Sequence, residues 1–581
     1  MRCLSLRAPS ERAHQLAVAR RVCEEQPDRH ETSATPEIGP AGANGLILVR
    51  MATTSPAGPG PRPGSEQHRP TRGTGLAALA GILAAATTLG VAQLIAAIVS
   101  PDGAPLIAVG GAFVDATPLW LKNFAVATFG TADKTVLLIG MGLMITALAA
   151  VAGMLARRRW WLGAGLVLLL AAVGGVAAAT RPGAGALAPL PSLVGAAAGL
   201  FALRALIARA PEDAVVPEPA PTLADAPDRR SFLTAAVLTA AVAALTAAGG
   251  QLLGQATRTV RTARDALRLP GAARPVAALP ADVQSPVAGV VPFVTPNLDF
   301  YRIDTALLVP QVGADTWTLR VHGLVEEEVV LTFQELLAAS LIESWVTLTC
   351  VSNAVGGDLA GNAKWLGYPV RELLARARPK ADADMVLSTS ADGFTASTPL
   401  GALTDGRDAI LAIGMNGEPL PVDHGFPVRM VVPGLYGYVS ATKWVVDLEV
   451  TRFADRSAYW TDRGWSATGP IKTASRIEVP RRGSSVAAGP VAVGGTAWAQ
   501  HRGITAVEVQ VDDGAWAPAT LATEASVDTW RQWSYVWDAN PGKHRLTVRA
   551  TDATDGVQTG KNADPVPDGA TGWHSVEVTV K

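Results

Sequence analysis

The sequence predicts a multi-domain protein in three parts: an α-helical membrane domain with five transmembrane helices, an α+β domain, and an immunoglobulin-like β-sandwich. Three observations predict this. Five segments in the first half are apolar over the roughly 20 residues needed to cross a bilayer, with no charge at their centres. From residue 293 short strand patterns alternate with brief helical ones, which argues for a mixed sheet-and-helix domain. From 481 the pattern becomes apolar/polar alternation broken by turns, as in Val507–Val511 before Asp512, Asp513 and Gly514.

Residues 1–72 are polar and rich in Arg, Pro and Gly without apolar periodicity, and read as disordered, with Met51 expected as the true start. Four spans follow, at 75–100, 135–155, 160–180 and 187–207, forming a membrane domain over 73–208. The mildly apolar stretch 105–130 between the first two reads as an interfacial loop. A polar linker, 209–230, leads to the fifth span at 231–254. Arg157, Arg158, Arg159, Arg204, Arg209, Arg229 and Arg230 cluster on one side of these spans, against only Lys122, Lys134 and Arg181 on the other. The excess of Lys and Arg in cytoplasmic loops then puts the N-terminus in the cytoplasm and everything after the fifth span outside it. Asp228-Arg229-Arg230-Ser231-Phe232-Leu233 ahead of an Ala-rich span also resembles a twin-arginine export motif, which suits a domain loaded with its cofactor before export. The expected location is a bacterial cell membrane, multi-pass, with an extracytoplasmic catalytic domain.

The protein balances 49 basic against 50 acidic residues, so overall charge makes no case for nucleic acid. Its eight histidines all lie outside the spans and no Cys-x-x-Cys-His occurs, so no histidine-held haem is expected in the membrane half or elsewhere. The Ala/Pro/Arg-rich segment 255–292 reads as a tether holding the soluble half off the membrane.

With Met51 as start, Cys350 is the sole thiol. It follows the apolar run Trp345, Val346, Leu348 and opens a loop bearing Asn353, Gly356 and Gly357, where backbone amides can approach an anion and a thiolate can meet a metal. Taken alone, such a cysteine is also a common small buried hydrophobe.

Thr347–Asn353 around Cys350, then Ala363-Lys364-Trp365-Leu366-Gly367-Tyr368-Pro369-Val370, Met415–Pro421, His424–Gly434 and Lys443-Trp444-Val445 come in an order that resembles the sulfite oxidase family of molybdenum enzymes. The resemblance covers about half the chain. It implies an α+β molybdopterin-binding domain over 293–480 and a dimerisation domain over 481–581. Cys350 matches the metal ligand of a molybdenum–molybdopterin cofactor, where soft sulfur suits a redox-active metal. Phe300, Tyr301, Asn353, His424, Arg429 and Lys443 match cofactor-binding positions, with Arg429 suited to bidentate phosphate contact.

The family's sulfite-binding groups are only partly matched. Asp304 stands where the entrance segment has an arginine, Val355 where an arginine follows the cysteine, and Trp465 where a tyrosine lies near the metal; Arg502 matches the arginine of the terminal domain. Asp304, Trp465 and Arg502 are thus expected beside Cys350 at the catalytic centre. Each lost charge-assisted contact is worth about 1.5–3 kcal/mol, so the expected activity is oxygen-atom transfer on a less charged sulfur or nitrogen compound such as a sulfoxide or N-oxide. Sulfite oxidation itself, and a cofactor-free interaction module on a membrane anchor, are the alternatives. The expected partners are a small-molecule substrate, the lipid membrane, an electron-transfer protein not visible in the sequence, and a second copy through the terminal domain.

Overall fold

The computed structural model describes residues 72–99, 103–129, 132–181, 184–210, 229–253 and 256–581. The expected disordered tail and start at Met51 lie outside them, as does most of the 209–230 linker.

Eight helices precede the first strand among these residues: α1 (Arg72–Val99), α2 (Pro105–Ala116), α3 (Leu119–Phe129), α4 (Asp133–Arg158), α5 (Trp160–Ala179), α6 (Leu190–Ile207), α7 (Arg229–Leu253) and α8 (Ala256–Ala266). Five of them, α1, α4, α5, α6 and α7, are long and apolar enough to span a membrane. Small residues that admit close backbone approach set the contacts between these helices. A methyl group on Gly153 of α4 would strike the Ala77 carbonyl of α1, and one on Gly81 of α1 would strike that of Ala149 of α4. α7 joins the same bundle through Gly90 of α1, where a side chain would run into Ala243 and Thr246. α7 is thus packed on α1, the helix against which α4 also lies. The 105–130 stretch, expected as a loop, forms α2 and α3, because Pro105 starts a helix without needing an N–H and the residues that follow are apolar.

The α+β domain has two five-stranded sheets. The strands are β1 (Thr318–Gly323), β2 (Val329–Thr332), β3 (Ile342–Thr349), β4 (Ala360–Pro369), β5 (Met385–Ser390), β6 (Thr395–Pro399), β7 (Ile410–Met415), β8 (Glu418–Pro419), β9 (Arg429–Val431) and β10 (Val445–Thr451). One sheet runs β2-β1-β10-β5-β6 with β1 and β10 parallel; the other runs β3-β4-β7-β8 with β9 added on β7. Thr332 and Glu335 cap the helix Phe333–Ala338 reciprocally, ending β2 where the sequence turns helical. Trp365, Trp444, Phe426 and Phe333 are buried between the layers.

The terminal region consists of β11 (Ala474–Val479), β12 (Ser485–Val486), β13 (Gly489–Trp498), β14 (Ile504–Val511), β15 (Trp516–Pro518), β16 (Thr520–Leu521), β17 (Arg531–Ala539), β18 (Gly542–Asp552) and β19 (His574–Val580). They form sheets of order β11-β13-β17-β16 and β12-β19-β18-β14-β15. Val493, Trp533 and Trp537 of the first sheet bury against Val509, Leu546, Val548 and Val578 of the second. Since β11 pairs with β13, this region begins near residue 474 rather than 481. The 255–292 segment is not a free tether. After α8 it runs along the domains: Leu267, Leu269 and Leu279 pack on the core, Ser285 N–H donates to Gln532 and Val291 N–H to Glu478. Its apolar residues bury more favourably there than in water.

Candidate active site

β3 carries the chain to Cys350, and the loop after it is tightly specified. Cys350 N–H donates to Leu359 O (2.9 Å), while the Asn353 side-chain oxygen accepts from Leu359 N–H (2.9 Å) and closes the loop. The terminal region braces it from behind. Gln500 donates to Thr347 O and Thr349 Oγ1, Arg476 donates to Gly357 O, and His574 abuts Gly356.

Cys350 lines an open cleft whose empty space, with the solvent at its mouth included, is about 850 Å³. Phe300, Tyr301, Asp304, His424, Arg429, Lys443 and Trp465 line the same cavity, so seven further expected site residues converge on the thiol from four separate stretches of chain. Phe300 stacks on Tyr301 (5.3 Å between ring centres) and meets Trp365 and His424 edge-on. Gly425, at φ +108°, lets the two cationic segments close up, since a Cβ there would lie 3.0 Å from that of Arg429 and 3.1 Å from that of Lys443. Trp444 holds φ +50° with its indole N–H on Val422 O (2.9 Å), a backbone state that costs a bulky residue about 1–3 kcal/mol and is secured by its burial.

The charges are unusual for an interior. Arg429 is 5% exposed and forms no ion pair among the described residues. It donates only to carbonyls, those of His424 (3.2 Å), Met430 and Ala441 (both 3.4 Å), and its guanidinium lies 5.1 Å from the Trp365 ring centre. Burial draws its pKa down to about 10. Burial also lowers Lys443, against the pull of Asp304, to about 8, so its ammonium remains charged at neutral pH. Burial, then Arg429 and Lys443, lower His424 to about 4, leaving a neutral ring with Nε2 at 3.2 Å from Asn297 O. Burial pushes the Cys350 thiol up, partly offset by hydrogen bonds from Ser352. Burial would also raise Asp304, but Lys443, Lys134 and Arg302 outweigh it and hold the carboxylate well below its usual range.

Two expected site residues fall elsewhere. Arg502 does not line this cavity: it donates to Ile471 O (2.9 Å) and Thr473 Oγ1 (3.0 Å) and pairs with Asp552 and Asp555. Asn353 faces a smaller cavity on the other side of the loop, together with Val355. Conversely, the sequence reading missed Ser390, Asp392, Tyr438 and Trp460, which line the Cys350 cavity, and Lys134, which reaches Asp304. Only Lys134 carried a signal, as one of few cations on the arginine-poor side of the spans.

The donor set suits a large anionic metal cofactor. It offers one thiol for the metal, a buried arginine lacking a counter-ion, a buried lysine, and two buried donors without partners, Ser390 Oγ and Trp465 Nε1. Such a site defines a cofactor-dependent redox enzyme, and comparison with known proteins places it. The oxidoreductase molybdopterin binding domain family matches residues 306–460. The chain is 32% identical over 153 residues to the uncharacterized oxidoreductase YuiH of Bacillus subtilis (strain 168), covering 26% of this chain and 74% of that protein. It is 28% identical over 311 residues to mitochondrial sulfite oxidase of Homo sapiens, covering 45% of this chain and 56% of that one. A solved structure, the sulfane dehydrogenase SoxCD from Paracoccus pantotrophus, aligns at 23% identity and a TM-score of 0.43 over 51% of this chain and 86% of that one. The chain thus spans a little over half the length of the curated sulfite oxidase it matches. It belongs to the sulfite oxidase family of molybdopterin-dependent oxidoreductases.

Proposed function

We propose that this protein is a membrane-anchored molybdenum-cofactor enzyme that transfers an oxygen atom to or from a weakly charged sulfur or nitrogen compound, such as a sulfoxide or N-oxide, at an extracytoplasmic site. The observation that carries the cofactor reading is Arg429: a buried cation without a counter-ion is costly unless an anion arrives to pair with it. Cys350 would hold the metal as its thiolate, because a coordinating thiol is deprotonated. Arg429 and Lys443 would hold the cofactor's phosphate, neutral His424 would offer it a hydrogen bond, and Phe300 and Tyr301 would pack beside it. The bound molybdenum cofactor supplies two-electron oxygen-atom transfer.

The cavity wall supports the substrate class. Asp304 and Asp392 line it, Arg429 and Lys443 are committed to the cofactor, Arg302 is paired with Asp304 and Asp423, and Arg502 is tied to Asp552, so among the described residues no free arginine lines the cavity to meet a dianion. The unpartnered Trp465 N–H fits a single neutral oxygen. The extracytoplasmic placement draws on the arginine pattern: Arg157 and Arg158 end α4, whose opposite end carries Lys134 against the catalytic domain. By family resemblance the terminal sandwich is immunoglobulin-like and pairs two copies.

The test is molybdenum stoichiometry of the purified wild type and of Cys350→Ser, with sulfoxide and N-oxide reduction by a reduced viologen assayed beside sulfite oxidation. The expected result is metal in the wild type alone and faster turnover of the neutral oxides. Absence of molybdenum from the wild type would leave the cofactor-free module standing, and faster sulfite turnover would overturn the substrate assignment.

A further inference from the structure

Asp304 poses a problem for any anionic ligand in this cavity. Its carboxylate is 5% exposed, lines the cavity, and lies 2.8 Å from Lys443 Nζ. An entering phosphate must compete with that carboxylate for the lysine and also meets its negative charge. The two oxygens of Asp304 are shared unequally. Oδ2 takes both Lys443 and Arg302 at 2.8 Å, whereas Oδ1 is taken by Lys134 of α4 at 2.5 Å. Lys134 also donates to Ala306 O at 2.5 Å, so one membrane-helix side chain grips two points of the segment that forms the cavity's edge. The contact is not isolated. Asp115 at the end of α2 accepts from Tyr459 (2.9 Å) and pairs with Arg181 (2.8 Å), fastening the bundle to the stretch just before Trp460 of the cavity wall.

We infer that Lys134 is a positioning residue through which the membrane domain completes the cofactor site: it neutralises and holds Asp304, so that Lys443 remains available to an anionic cofactor. The inference rests on the cofactor reading above. The bundle is then part of the binding site as well as an anchor, and a charge on α4 sets affinity in a domain more than a hundred residues away in sequence.

The test reads cofactor retention in the full-length protein, as the molybdenum-to-protein ratio before and after prolonged buffer exchange in detergent, with gel filtration to show an unchanged fold. Lys134→Gln removes the charge yet keeps a donor for Ala306 O, and retention is expected to fall about tenfold, the scale of one charge-assisted contact. Lys134→Arg is expected to retain the cofactor. Asp304→Asn added to Lys134→Gln removes the carboxylate that Lys134 balances, and is expected to restore retention to within about twofold of wild type. Wild-type retention in Lys134→Gln would overturn the inference. So would a double variant as depleted as the single one, since a purely structural Lys134 could not be rescued in this way. A wild type without molybdenum would instead remove the cofactor reading beneath it.

Discussion

Replacing Arg429 with methionine separates stability from function at this site. Burial takes the guanidinium from its ordinary pKa of 12.5 to about 10, equivalent to about 3 kcal/mol of destabilisation of the charged form in the cofactor-free protein. Methionine is straight and flexible enough to keep much of the contact with Trp365, but it leaves the carbonyls of His424 and Ala441 without their donors. Those bonds, at 3.2 and 3.4 Å, are long, and their loss offsets about 1–2 kcal/mol. Arg429→Met is therefore expected to stabilise the cofactor-free protein by about 1 kcal/mol, a rise of about 2–4 °C in the melting temperature of the soluble half. The same change should strip the purified protein of molybdenum. The assay is thermal unfolding, followed by tryptophan fluorescence, of wild type and variant from a host unable to make the cofactor, with metal analysis of both from a competent host. A variant that melts several degrees lower, or keeps its molybdenum, would refute the view that Arg429 is an uncompensated charge awaiting an anion.

Cys350→Ser should lose molybdenum while melting within a few degrees of the cofactor-free wild type, because a hydroxyl replaces a buried thiol of similar size; metal analysis and unfolding together check this. Burial, with Arg482 and Arg476, lowers His574 to about 4, and its Nδ1 accepts from Ile477 N–H (3.0 Å). The unfolded state takes up a proton near pH 6.5 that the folded state refuses until about 4, so stability is full above 6.5 and falls as pH drops toward 4. His574→Asn, which keeps an acceptor but does not titrate, should flatten that decline in melting curves taken between pH 4 and 7. In the membrane half, Gly153→Ile should lower the melting temperature in detergent far more than Gly142→Ile on the same helix, since a Cβ at 153 meets the α1 backbone and one at 142 meets nothing.

The five long apolar helices were legible because length and apolar composition are properties of each segment separately, and Gly81 and Gly153 then fix how α1 and α4 meet. The 105–130 stretch misled because its helices are short and only part apolar, and they become helical against other chain segments. The 255–292 segment misled for a related reason: Ala- and Pro-rich composition looks like a linker until a groove exists to bury its leucines. At the site, Cys350, His424, Arg429 and Lys443 were readable from motif order, and the structure brings all four to one cavity. Arg502 was not readable, because its matching position says nothing of Asp552, which captures it.

By itself the sequence determined the classes of segment present, the thiol that could meet a metal, and the cations that could meet a phosphate, since these depend on residue type and local spacing. Only the tertiary structure decided which charges face one another. Whether Asp304 repels a ligand or is neutralised depends on Lys134 and Lys443 arriving within 3 Å of it from two distant stretches of chain, beside Arg302 of its own segment. Electrostatic energy depends on distance and burial rather than on position along the chain.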